Sequence, residues 1–474
     1  MNSSAQSIRA MVGVLRVMAK VFLWLFAGVI AIVVLWFVAN RFLDEAPDPQ
    51  RDAFLISSED RVPDERNAAV GILGLTAPAG TDFVQHGSRV KALYDVRAPW
   101  NQIQDMMRGP SALRLTVNSD QVTCWLDPDH PAFAGYKDCL PFEQAPKVLQ
   151  ENKEALDRYK SLYRMGRYSN LDTSHNQAVF VLLRLSAAEI HLALRQREYE
   201  AAYRAWRDQL SFVKRNLRGP DTWVGKAVGL VAFGMTFELI ENLVHANPEI
   251  AKRHRGELLL LFQPEGIEAF NPDGIVRAEY AILRKALQHP PTQTADWLLD
   301  RLHWLAFYVG EHNRILNRYY AFARDYANAL RLPWNQVELE AIRLREKHVL
   351  SSEWDFVIDP FGSLFLAHYL NGQLKAREML RQMHIIDGKL RLATLLIRIM
   401  SEGVRHDDIP AFLQSAGAGF YDPFSGNPMQ WNGKERRIYF TDPENKCAMY
   451  ASLGVPAEAH AAKAFRPEAQ SGSC

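Results

Sequence analysis

The 474-residue chain lacks most of the signatures by which a reaction is read from sequence. It has no GxxxxGK[ST] loop, GxGxxG turn, GxSxG elbow or HExxH pair. These absences remove the usual motifs for phosphate loops, dinucleotide cofactors, serine hydrolases and zinc peptidases. Its 14 histidines include no i,i+4 pair with another His or a Cys, and His303 and His312 stand nine residues apart. No metal or cofactor is expected. Cysteine is scarce, at four, with no CxxC. With 55 Lys plus Arg against 54 Asp plus Glu, no global field points toward nucleic acid. No 34-residue self-similarity supports a regular solenoid.

What the chain has in plenty is apolar material, 48% of residues with 11% aromatic, enough for a packed core. Its longest uncharged run is VFLWLFAGVIAIVVLWFVA, Val21 to Ala39, 19 residues. As a helix this spans about 28 Å, close to the roughly 30 Å hydrocarbon core of a bilayer. Two rivals are a buried core helix and a cleavable signal peptide. The run is apolar on every face, which counts against the first. A signal peptide has a shorter apolar stretch and wants a small residue where Phe37 stands. An uncleaved transmembrane anchor is expected, with Trp24 and Trp36 toward its interfaces. Arg9, Arg16 and Lys20 precede it without an acid; eight acids and four Arg lie between Arg41 and Arg66. Positive residues stay on the cytoplasmic side. The expected localisation is therefore a bacterial inner membrane, single-pass, with a periplasmic C-terminal body. That body meets the membrane and, by expectation, a protein partner.

Cys124 and Cys139 bracket CWLDPDHPAFAGYKDC, a loop suited to a disulfide in an oxidising compartment. Cys447 and Cys474 either form a second pair or are free; four cysteines allow three connectivities.

Organisation follows composition. Residues 1–20 are a cytoplasmic N-terminus, 21–40 the anchor and 41–66 an acidic linker leading away from the membrane. Residues 67–142 are a small mixed capping region, with NAAVGILGLTAPAG stopped by Pro and Gly and ALRLTV reading as a short strand. Residues 143–419 carry the helical period. A helix is predicted over 142–165. SHNQAVFVLLRLSAAEIHLALRQ, with Ser174 as a candidate N-cap, and REYEAAYRAWRDQLSFVKRNL are predicted to form an antiparallel hairpin of partly tetratricopeptide-like character. DTWVGKAVGLVAFGMTFELIENLV reads as a central buried helix, with a second membrane contact as the rival. Further helices are predicted at 275–288, 294–331, 334–350, 361–383 and 387–402. Residues 420–455 are a β-hairpin clasp and 456–474 a tail. The fold class is mainly α: an irregular helical bundle behind a transmembrane helix, with a small C-terminal β-hairpin.

Three charges stand out within apolar stretches: Lys226 in WVGKAVGLVAF, Glu189 in LSAAEIHLAL and Glu279 in IVRAEYAIL. Such groups must be paired or shifted in pKa. They are either a buried ion pair linking helices or a polar site for a ligand or proton. Trp297, Trp304, Phe307, Tyr308, Tyr319, Tyr320, Phe322 and Tyr326 are either core or a groove. In FYDPFSGNPMQWNGKERRIYF, residues 420–440, DPFSG has turn composition and Asn432-Gly433 is a strong hairpin signal. Phe424, Trp431, Ile438 and Phe440 are expected to pack on helices. The stretch is either a structural lid or a recognition surface using Trp431, Lys434, Arg436 and Arg437.

The series NAAVGILGLTAPAG, the Cys-bracketed loop, AEIHLAL with EYEAAYRAW, DTWVGKAV, IDPFGSLFL with HIIDGKLRLATLLIRI, and DPFSGNPMQW resembles a group of uncharacterised single-pass membrane-anchored envelope proteins of Gram-negative bacteria. The likeness covers most of residues 20–440. It implies envelope location and an all-helical body, and carries over no activity. The function expected is that of a periplasmic interaction or assembly factor without catalysis. The alternatives are an envelope enzyme of hydrolase type and a ligand-binding module with a polar site in the bundle.

Overall fold

A computed structural model describes residues 18, 20–32, 34–35, 38, 44–55, 62–95, 98, 100–126, 128, 138–165, 178–219, 222–247, 249–288, 301, 307, 311–350, 360–374, 377–444 and 447–452. These residues are mainly α-helical, with one small antiparallel sheet near the C-terminus. In chain order the helices are α1 (Lys20–Ile32), α2 (Pro49–Leu55), α3 (Ala68–Leu73), α4 (Phe83–Asp95), α5 (Trp100–Arg108), α6 (Ala145–Glu151), α7 (Lys153–Ser161), α8 (Ala178–Arg195) and α9 (Tyr199–Arg218). They continue as α10 (Trp223–Ala246), α11 (Glu249–Arg253), α12 (Arg255–Leu261), α13 (Pro272–Gln288), α14 (His312–Ala329), α15 (Trp334–Arg345), α16 (Pro360–Leu374), α17 (Arg377–Glu402) and α18 (Ile409–Ser415). The strands are β1 (Gln430–Asn432), β2 (Arg437–Asp442) and β3 (Cys447–Ser452). The chain divides into two units: residues 54–279, 323–343 and 375–474 form the larger, and residues 1–53, 280–322 and 344–374 the smaller.

In the larger unit, Asn67 caps α3 by accepting the Ala69 N–H at 3.0 Å. Every residue of α3 is buried. Gly74 and Gly87 allow this, because a Cβ on either would strike a carbonyl across the α3–α4 crossing, that of Phe83 or Val70. Arg158 of α7 holds the following Pro-containing turn, donating to Ala77 O at 2.6 Å and Pro78 O at 2.8 Å. The strand expected in ALRLTV is not formed. Its amides serve as tethers: Leu113 N–H reaches Thr76 O at 2.9 Å and Thr116 N–H reaches Asn152 Oδ1 at 2.9 Å. The same Asn152 breaks the helix expected over 142–165. Its side chain donates to Thr116 Oγ1 and Val148 O, and α6 gives way to α7 there. Cys124 and Cys139 are disulfide-bonded across 15 residues. In the chain-entropy picture a loop of that size stabilises the fold by about 3 kcal/mol. The second pairing, Cys447 with Cys474, the N-cap at Ser174 and the tail 456–474 lie outside what is described.

The predicted α8–α9 hairpin is present, turning through Arg197 at φ 61°. Helix α10 starts from an N-cap at Thr222 and packs on α8, α9 and α17. It is a bundle helix as expected, but buried on one side only: Phe237 and Leu243 are fully buried and Val224 is 54% exposed. By length and composition Trp223–Val244 passes as a membrane span, with 47% of its apolar window buried. The two helices predicted at 361–383 and 387–402 are divided differently. Helix α17 starts at Arg377 and runs unbroken to Glu402, through Gly388. Gly388 costs roughly 1 kcal/mol of helix propensity, but it makes room for the ring of Phe440, which a Cβ there would enter.

The sheet has order β1-β2-β3, so the expected hairpin gains a third strand. Trp431 pairs with Ile438 across β1–β2, and Phe440 with Met449 across β2–β3. Ile438 and Phe440 are fully buried, Phe424 nearly so, and β2 and β3 pack on α17. Asn432-Gly433 does not form a two-residue turn. Asn432 pairs with Arg437, leaving a loop from Gly433 to Arg436. Asn432 Oδ1 accepts the N–H groups of Lys434 and Glu435, and Arg436 takes the left-handed position at φ 52°. The register follows the alternation that buries Ile438 and Phe440, not the turn dipeptide. DPFSG is a turn as expected, with Asp422 Oδ1 accepting Phe424 N–H at 2.9 Å and Gly426 at φ 68°.

In the smaller unit, Tyr280 stacks on Tyr319 at 5.8 Å and Tyr369 meets Tyr319 edge-on at 5.6 Å. Tyr319 and Phe322 are fully buried and Tyr320 is 8% exposed; in the larger unit Tyr326 is also buried. These rings are core, not groove; Trp297, Trp304 and Tyr308 lie outside the described residues. The expected linker does not simply lead away at its start. Asp44 accepts the N–H groups of Asn313 and Arg314 at 3.0 to 3.2 Å, capping α14. Arg51, 5% exposed, donates to Asn317 and Asn313. The segment is docked because its acids meet the positive end of a helix.

Candidate functional site

The three charges singled out in sequence do not meet at one point. Lys226 is 1% exposed, and its ammonium donates to the carbonyls of Leu217 and, at 2.6 Å, Gly219. These are the outgoing carbonyls of α9, so the cation sits at the negative end of that helix. Glu279 accepts the Trp223 N–H at 3.0 Å, at the opening turn of α10. Each charge matches the helix end it faces, and together they bracket the α9–α10 corner. Glu189 belongs elsewhere: it pairs with Lys160 at 2.6 Å and is about one third exposed.

Glu189 and Lys160 lead to a cleft of about 700 Å³, walled by α8, α9, α12 and the turn after α7. Helix α9 folds its face of Tyr203, Trp206, Leu210 and Val213 into the core. The opposite stripe, Asp208, Ser211 and Arg215, recurs at helical spacing and lines the cleft. On the floor, Tyr163 Oη meets Ser186 Oγ at 3.2 Å and packs on Phe212 at 5.3 Å. Burial and the neighbouring Tyr159 push its phenol pKa well up, so it stays protonated. Arg215 Nη2 donates to Tyr163 O at 2.5 Å, and burial lowers its pKa without removing its charge. Arg207 donates to Asp208 at 2.7 Å and to Glu257 at 3.0 Å, and its pairing with Asp208 raises its pKa. Tyr203 completes the shell of Glu257 at 2.9 Å. Leu260 and Leu261 form an apolar wall.

Sequence reasoning missed Tyr163, Arg164, Arg207 and Arg215. The 208, 211, 215 spacing was the available signal, but on its own it describes a solvated face. A second cavity, of about 470 Å³, lies in the smaller unit among Asp44, Arg51, Arg284, His312 and Asn313. Its polar groups are those that dock the linker start on α14.

Helix α17 carries a buried polar row. Asp387 pairs with Arg391 at 2.5 Å and accepts Gly266 N–H at 3.2 Å; burial raises its pKa. Lys214, donating to Leu261 O at 2.8 Å, is lowered by burial to about 8. Asp387 ties α17 to the turn at Gly266, and Lys214 ties α9 to the end of α12. On the hairpin, Trp431 stands edge-on to His406 at 4.8 Å. Lys434 and Arg436 are exposed, and Arg437 reaches Glu435 at 3.4 Å. Among the described residues no group of His, Cys, Asp and Glu is arranged to hold a metal ion.

Compared with known proteins, the chain matches no family model, no curated protein and no solved structure.

Proposed function

We propose that the protein is a membrane-tethered helical protein of the bacterial cell envelope, with its body in the periplasm serving protein–protein interaction or assembly. The observation that carries this reading is α1. Its apolar side chains face outward all round, Phe22 at 71% and Trp24 at 79% exposure, in a run without charge. An exposed helix of this composition is stable in hydrocarbon, not in water. Basic residues before it and acids after it orient the body outward. The Cys124–Cys139 disulfide suits an oxidising compartment. Exposed Leu339 and Ile342, one turn apart on α15, supply apolar surface of the kind a protein partner covers.

The test is a pair of reporters fused after residue 474, one active only in the periplasm and one only in the cytoplasm. Periplasmic activity is expected. Cytoplasmic activity rejects the topology, and with it the envelope reading.

A further inference from the structure

The cleft beside α9 carries more positive charge than its own acids engage. Four cations line it, Lys160, Arg164, Arg207 and Arg215, against two acids, Asp208 and Glu257. Both acids are held by Arg207, and Lys160 is held by Glu189. Arg164 and Arg215 remain. Arg164 is exposed and has no ion pair among the described residues. Arg215 uses one amino group on Tyr163 O, while its Nε is buried without a partner. Tyr163 directly precedes Arg164, so the two guanidinium-bearing residues are tied to adjacent points of one turn. The same cleft is lined by the Ser211 hydroxyl, one turn before Arg215 on α9, and by the apolar surface of Ala205, Leu260 and Leu261, with Leu260 73% exposed.

We propose that this cleft binds an anion of the phosphate or carboxylate type that carries an apolar group. Arg164 and Arg215 hold the charged head, and Ala205, Leu260 and Leu261 cover the apolar part. The planar fork of a guanidinium matches paired oxygens of such heads. An exposed leucine in the same cleft favours a ligand with apolar surface to bury. Free amphiphilic acids and membrane lipids share this head chemistry.

The experiment uses the full chain in nanodiscs of zwitterionic lipid, with thermal unfolding and hydrogen exchange as readouts. Octyl phosphate is expected to raise the melting temperature and protect residues 160–164 and 257–261. Arg164→Gln, an exposed substitution that leaves the core untouched, is expected to weaken that binding about tenfold. Arg215→Lys is expected to weaken it as well. Protection produced by nanodiscs containing an anionic phospholipid, without added probe, assigns the head to a lipid. Protection by octyl phosphate alone assigns it to a soluble acid. Octanol acting as well as octyl phosphate, an undiminished response in Arg164→Gln, or no response to either phosphate source overturns the proposal. None of these readouts depends on which side of the membrane the body occupies.

Discussion

His384 is 8% exposed, and its Nε2 has no hydrogen-bond partner. Trp334 and Phe424 flank it at 5.6 Å each, and Phe424 stacks on Phe440. Burial, aided by the charge of Arg391 one turn pair along α17, lowers its pKa to about 4. Arg377 lies over Trp334 at 5.4 Å and adds no anion that would favour protonation. The folded pKa is below the ordinary 6.5, so the unfolded chain takes up a proton the folded one refuses. Stability therefore falls as pH drops from about 6.5 to about 4, by at most about 3 kcal/mol from this group. His384→Phe keeps the aromatic packing and leaves no orphaned nitrogen. Urea unfolding at steps across that window is expected to show a shallower acid slope in the variant than in the parent. Lys226 teaches the opposite lesson at the same scale. A charge that looked like a site from its apolar setting terminates a helix, because backbone carbonyls are partners that no side-chain pattern displays.

At the scale of elements, α17 organises the larger unit through what it leaves out as much as what it carries. Gly388 is the gap into which Phe440 inserts, and Arg381 beside it pairs with the fully buried Asp442 of β2. Gly388→Ala should improve helix propensity yet destabilise the protein, because the added Cβ would overlap the fully buried Phe440 ring. A net loss of about 1–3 kcal/mol is expected from overpacking. Adding Phe440→Leu should recover part of it, and a double-mutant cycle in denaturant measures the coupling. Additive losses would mean the two positions are independent. The exposed segment Gly433 to Arg436 is the natural control, since substitutions at Lys434 touch no packed side chain.

For the whole molecule, two helices have the apolar composition for membrane contact, α1 in the proposed anchor and the half-buried α10. Helix α10 fills its inner side with Phe233, Phe237 and Leu243, which are almost completely buried in the larger unit. Withdrawing it into lipid would empty that core. Deleting residues 1–39 is therefore expected to move the protein from the membrane pellet to the soluble fraction, with the circular dichroism of the remaining helices retained and only the contribution of α1 lost. Retention in the pellet after alkaline carbonate washing would assign membrane attachment to α10 instead.

The sequence by itself determined the mainly helical class, the α8–α9 hairpin, the Cys124–Cys139 link and the DPFSG turn. Each rests on spacing within a few residues or on a short closed loop, where 3.6-residue periodicity and turn chemistry dominate. Only the tertiary structure decided that Asn152 breaks a periodic helix, that α17 runs through Gly388, and that a third strand joins the hairpin. It also separated Glu189 from Lys226 and Glu279, and gathered Tyr163, Arg207, Arg215 and Glu257 around one cleft. Most of those outcomes depend on partners tens of residues away, 36 for Asn152 with Thr116 and 52 for Arg215 with Tyr163. Packing, not local pattern, selects such partners, because burying a polar group demands whichever neighbour the fold brings within hydrogen-bond reach.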